Sequence, residues 1–229
     1  MPDDAFPSAR SPKRRPSYSD FAIERRLEVP RQFLDEHYPN NEALRAGLKK
    51  GGLTQAMLDD LRAALEPAVE ADDAQAAAYQ AAGVASETLK VAMPSAEEAY
   101  DEIDRRMDAA GQGDQTLKAA FDVGPRARNR TKRLVQLRQG LAAAETNRAA
   151  LDGYGLEAAH LAAAHAALAV AEKTSATWER RDREGQDATR LRNGLMPALD
   201  TKMENVQDRG EVGMPGRPDL LELLGLPPA

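Results

Sequence analysis

The 229-residue chain contains no cysteine, which excludes disulfides, thiolate metal sites and cysteine nucleophiles. Sheet-forming residues are scarce: 2 Ile and 9 Val are too few to build a dinucleotide-binding sheet or a barrel. Aromatics make up only 4% of the chain. Leu, Ile, Val and Phe together supply 40 residues, so the core must be thin. With three histidines and no Gly-x-Ser-x-Gly or Gly-x-x-x-x-Gly-Lys segment, nucleophilic catalysis and nucleotide hydrolysis lack their usual machinery. No uninterrupted apolar run approaches the roughly 20 residues that span a bilayer. Pro2, Pro7, Pro12, Pro16 and Pro30 break the first thirty residues, leaving no signal-peptide core there. A soluble cytoplasmic protein without a bound cofactor is expected.

What is abundant is alanine and leucine, 43 and 25 residues, both strong helix formers. A net charge of −6 is too small to hold such a chain unfolded by self-repulsion. The composition therefore predicts an all-α protein with an alanine-rich core.

An internal correspondence organises the chain. A shift of 103 positions places Arg45 on Arg148, Leu48 on Leu151, Gly52 on Gly155, Leu53 on Leu156, Leu58 on Leu161 and Leu65 on Leu168. Positions 45–68 then show eleven identities, six of them not alanine. Met93-Pro94 falls on Met196-Pro197 under the same shift. This predicts two copies of about 100 residues forming an elongated antiparallel helical bundle. The expected division is a mobile Pro/Ser/basic tail over 1–26, repeat one over 27–113, repeat two over 114–212, and a Gly/Pro linker with a leucine-rich segment over 213–229. In each copy the glycine at 52 or 155 ends one helix and opens the next. The helix before Gly155 is expected to start at Pro125. The one after it is expected to run some 40 residues, to Pro197, and its counterpart in the first copy to kink at Pro67.

Four features invite a functional reading. Glu157 and His160 share a helical face, as in bundle di-metal sites. Their counterparts, Thr54 and Met57, do not support ligation, and no second such pair exists. The basic run over 126–138, with Arg126, Arg130 and Arg133 at its heart, is the footprint a nucleic acid would use. Its competitor is pairing with the acidic stretch Glu97, Glu98, Asp101, Glu102 and Asp104 across the turn at 111–114, and the absence of aromatics between Phe121 and Tyr154 weakens base stacking. Trp178, the only tryptophan, is a candidate anchor for a partner or a filler between hairpins. Finally, Leu220, Leu221, Leu223, Leu224 and Leu226 follow a Gly/Pro stretch and must either close the bundle or dock on another chain.

The Leu151-Asp-Gly-Tyr-Gly155 turn, followed by Leu156, Leu161 and Leu168 and weakly duplicated around Gly51-Gly52, resembles bacterial tandem helical-bundle proteins with alanine-rich, duplicated hairpins. The resemblance implies a fold and brings no established activity. The expected function is a non-enzymatic structural or protein-interaction role, through a protein partner or self-association. A nucleic-acid role for 126–138 and a metal-binding bundle are the alternatives.

Overall fold

The computed structural model describes residues 18–226, and among them there is no strand. After a 3-10 turn at Tyr18–Asp20 come α1 (Ile23–Gln32), a π-helical turn (Phe33–His37), α2 (Tyr38–Asn40), α3 (Glu42–Lys50) and α4 (Gln55–Gly113). They are followed by α5 (Gln115–Phe121), α6 (Arg130–Thr146), α7 (Arg148–Leu151), α8 (Ala158–Gly213) and α9 (Pro218–Glu222). Most alanines and leucines among the described residues lie in these helices.

Local chemistry fixes the helix ends. Asn41, Asp114 and Asn129 cap α3, α5 and α6, each accepting a hydrogen bond from the first turn and so satisfying an orphan amide. The turns into the two long helices are alike. Gly52 and Gly155 both have positive φ, 89° and 75°, where a side chain would be strained. Behind them the amides of Leu53 and Leu156 donate to the carbonyls of Leu48 and Leu151, at 2.9 and 3.2 Å. This six-to-one bond closes a helix C-terminus. The long helices then begin at Gln55 and Ala158, positions 103 apart.

Two expected boundaries move. The helix before Gly155 starts at Arg130, not Pro125, because Asn129 supplies the cap. The helix after it continues through Pro197 to Gly213, and α4 likewise passes through Pro67 and Pro94 without a break in helical assignment. A helical proline removes the bond to the carbonyl four residues earlier. Here the residues four back are Ala63, Lys90 and Asn193, all exposed, where solvent can serve a carbonyl that has lost its donor.

The chain forms two compact units: residues up to 74 together with those from 189, and residues 75–188. These do not follow the expected division at 27–113 and 114–212. Each unit takes the start of one long helix and the end of the other. In the first unit α1, α3 and α9 pack against those segments around Phe33, Leu44, Leu48, Leu61, Leu199 and Met203, all fully buried. The helices run antiparallel, with Lys202 bonded to Asp60 at 2.9 Å and Arg192 to Asp72 at 3.0 Å. The expected tail boundary at 26 also moves. Tyr18 is 2% exposed, its hydroxyl donates to the Arg26 carbonyl at 3.0 Å, and Arg26 forms a bidentate pair with Asp200. An aromatic ring and a shielded ion pair anchor the segment. The basic cluster at 13–15 lies outside the described residues.

In the second unit α5, α6 and α7 pack on α4 and α8 around Ile103, Met107, Leu137, Leu141, Leu151 and Ala171. Small residues let the helices approach closely. At Gly140, for example, a Cβ would fall 2.1 Å from the Tyr100 hydroxyl.

Candidate functional site

The second unit gathers most of the side chains that the sequence singles out. The first turns of α6 and the segment before it bring Arg126 and Arg133 onto a single carboxylate, Glu97. Arg133 Nε donates to Glu97 Oε1 at 3.0 Å, and Arg126 Nη2 donates to the other oxygen. Arg133 is 7% exposed, so its charge has been taken out of water and returned to a partner. Arg130 turns elsewhere. Its guanidinium lies 4.0 Å over the Trp178 ring and 3.9 Å from Glu179, while its Nε has no partner. Arg138 binds Glu172 at 3.0 Å. The basic run is therefore engaged within its own unit at these four positions. Of the five acidic residues expected opposite it, only Glu97 makes that contact; Glu102 pairs instead with Arg106 on the next turn. Trp178 is half-buried and has one ring face covered by Arg130, which reduces what it can offer a partner.

The histidines have local roles. The Glu157 amide donates to His160 Nδ1 at 3.1 Å, so this ring caps the start of α8. His165 Nε2 lies 2.9 Å from Glu145. Among the described residues no group of three metal-ligating side chains converges. The C-terminal leucines are found in the first unit. Leu220, Leu224 and Leu226 are buried in its core, with Leu221 and Leu223 partly buried against it. Gln207, itself buried, donates to the Leu224 carbonyl at 2.8 Å.

Sequence reasoning missed a cleft of about 640 Å³ in the second unit, between the end of α4, α5 and the segment leading to α6. Asp101, Asp104 and Asp108 continue the Glu97 stripe along α4 at steps of four, three and four, a single helical face. They form one wall with Tyr100 and Met107, and Lys118 and Phe121 of α5 stand across from them. Tyr100 is 3% exposed, and its hydroxyl is packed against Gly140 and beside the Asp104 carboxylate. Burial holds the phenol well above its ordinary pKa, and the neighbouring Asp104 carboxylate adds to that. Asp104 is raised too, first by its own desolvation and then by the charge of Asp108. The 4-3-4 spacing of acids was the available signal, and it read as a set of partners for the basic run.

Among the described residues no helix is long and apolar enough to cross a membrane. No family model, curated protein or solved structure matches the chain.

Proposed function

We propose that the chain is a non-enzymatic structural protein built from two helical copies, acting through protein–protein contact, with self-association its simplest form. The observation that carries this is the fate of the conspicuous side chains. Arg126, Arg130, Arg133, Arg138 and Trp178 are engaged with other side chains of the second unit, and the C-terminal leucines pack in the core of the first. What the second unit leaves in solvent is a shallow apolar groove between α4 and α8, about 720 Å³, lined by Ala77, Ala81, Val84 and Val170 among others. Val84 and Val170 are 65% and 56% exposed, and apolar surface of this kind favours contact with another protein.

The two-copy reading is supported by features that recur at a spacing of 103. The long helices start at Gln55 and Ala158, follow Gly52 and Gly155 in the same left-handed conformation, and sit behind the same leucine-to-leucine bond. The ends carry a short helix each, α5 and α9, beginning at 115 and 218. Duplication of a helical unit is a common route to an extended contact surface.

Light scattering with mass determination over a range of protein concentration tests the reading. The expected result is a mass that rises with concentration for the intact chain and stays monomeric in Val84→Lys/Val170→Lys. A monomeric mass throughout would overturn self-association. Tight binding to DNA at physiological salt that depends on Arg126, Arg130 and Arg133 would replace this reading with the nucleic-acid one.

A further inference from the structure

We propose that the open face of the α4–α8 pair in the second unit is covered by the same face of a second copy. The two copies are related by a two-fold axis running along the helices, so that α4 of each lies on α8 of the other in a four-helix bundle. This rests on the self-association reading and specifies the arrangement.

The face is built as a seam for helix pairing. Ala77, Ala81, Val84, Thr88 and Val91 step along α4 by four, three, four and three, the spacing at which helices meet side by side. On α8, Val170, Thr174, Thr177 and Arg181 step by four, three and four. Val84, Val91 and Val170 are 65%, 70% and 56% exposed. The hydroxyls of Thr88, Thr174 and Thr177 donate to the carbonyls of Val84, Val170 and Lys173 on their own helices, at 2.9, 2.7 and 2.9 Å. Each hydroxyl is thereby satisfied, and its methyl is what remains to be covered. The Arg181 charge is likewise held on its own helix, by Glu184 at 2.8 Å. α6 takes the opposite face, where Arg133 and Arg138 hold Glu97 and Glu172, about half a turn around their helices from the seam.

Charge selects the occupant. The α8 rim of the groove carries Lys173 and, seven residues on, Arg180. The α4 rim carries Gln80 and, seven residues on, Glu87, whose partner is Lys90 of the same helix in a largely exposed pair. Two copies can meet with the two-fold across the helices, α4 on α4, or along them, α4 on α8. The first sets Glu87 against its own copy and the basic rims against each other. The second sets the acidic rim of each copy against the basic rim of the other, twice in the dimer. A Cβ at Gly185 would lie 3.8 Å from the Tyr79 ring, a register that puts Glu87 within about one turn of Lys173 along the axis. A two-fold along the helices keeps that offset between copies, so the two side chains reach each other. The seam is about four turns long, which gives an interface at the low end of specific sizes and a dimer in exchange with monomer.

The chain has no cysteine, so introduced ones report the arrangement. Glu87→Cys and Lys173→Cys chains, mixed and mildly oxidised, are expected to give a disulfide-linked dimer, and either variant alone at most a trace. Glu87→Lys or Lys173→Glu alone is expected to weaken the dimer about tenfold in sedimentation equilibrium, and the two in one chain to restore it. Circular dichroism establishes that each variant is folded. If the mixture does not cross-link while the mass of the intact chain still rises with concentration, this arrangement is overturned and self-association stands. Preferential cross-linking of Glu87→Cys with itself overturns it in favour of α4 on α4. A monomeric mass at every concentration overturns both readings and leaves the groove to a different protein.

Discussion

Glu97 accepts two arginines at once, and the two are not equivalent. Arg126 is largely exposed, whereas the Arg133 side chain retains 9% of its exposure and depends on this carboxylate. Replacing Glu97 by Ala strands a buried guanidinium, which is expected to cost about 2 kcal/mol after allowance for the partial exposure of Glu97 itself. Urea denaturation measures this directly, with Glu172→Ala at the exposed Arg138 pair as the control, expected within about 1 kcal/mol of the parent. Asp104 presents the opposite case, a carboxyl whose folded pKa lies above its unfolded value. The folded state then binds more protons than the unfolded one between those two values, and its stability falls as pH rises through that window. Asp104→Asn removes the penalty. It should raise the melting temperature at neutral pH, and the gain should vanish once the pH is below the ordinary carboxylate range. An unchanged difference across that range would mean that desolvation of Asp104 is not its cause.

Glycines separate what is legible at the level of elements from what is not. Gly52 and Gly155 could be read as helix-ending positions because each follows a helical pattern and precedes another. Gly213 read as the start of a linker, yet it is the last residue of α8. A Cβ there would fall 1.9 Å from the Gly47 carbonyl oxygen of α3. That contact joins residues 166 positions apart in the sequence, and no local pattern announces it. Likewise the helix start at Pro125 lost to a cap at Asn129, and α8 runs on past Pro197, whose i−4 residue Asn193 is exposed. The acidic stripe of the cleft was visible as spacing, but whether it faced arginines or open space depended on where α5 packed. Gly213→Ala is therefore expected to destabilise the first unit by about 1–3 kcal/mol through overpacking. Gly83 and Gly194, which lie inside α4 and α8 with nothing near a prospective Cβ, should behave in the other direction. Alanine at either is expected to stabilise by about 0.5–1 kcal/mol, and thermal melts of the three single variants give the comparison.

For the whole chain the decisive feature is that two separate clusters of buried side chains hold the two compact units. Composition foretold helices and a thin core, and the 103-residue correspondence foretold the paired turns, but the grouping of distant segments into units follows from antiparallel packing of helices whose partners are far off in sequence. The C-terminal leucines show the consequence. They follow a Gly/Pro stretch, and their docking site is the start of the chain: Gly225 lies against Val29, and Leu220, Leu224 and Leu226 join the core that contains Leu27 and Phe33. Burial of three leucines contributes about 1.5–3 kcal/mol each before ordering costs, a large share of the stability of a domain this size. Deleting residues 217–229 should therefore lower the melting temperature and leave the oligomeric mass unchanged, since these leucines are occupied within the chain. Hydrogen exchange locates the effect: protection should fall first in residues 18–74 and 189–213, where the leucines pack, and less in 75–188. If deletion instead dissolves an assembly while exchange in the first unit stays as it was, the leucines serve another chain and the packing described for α9 is not the one used in solution.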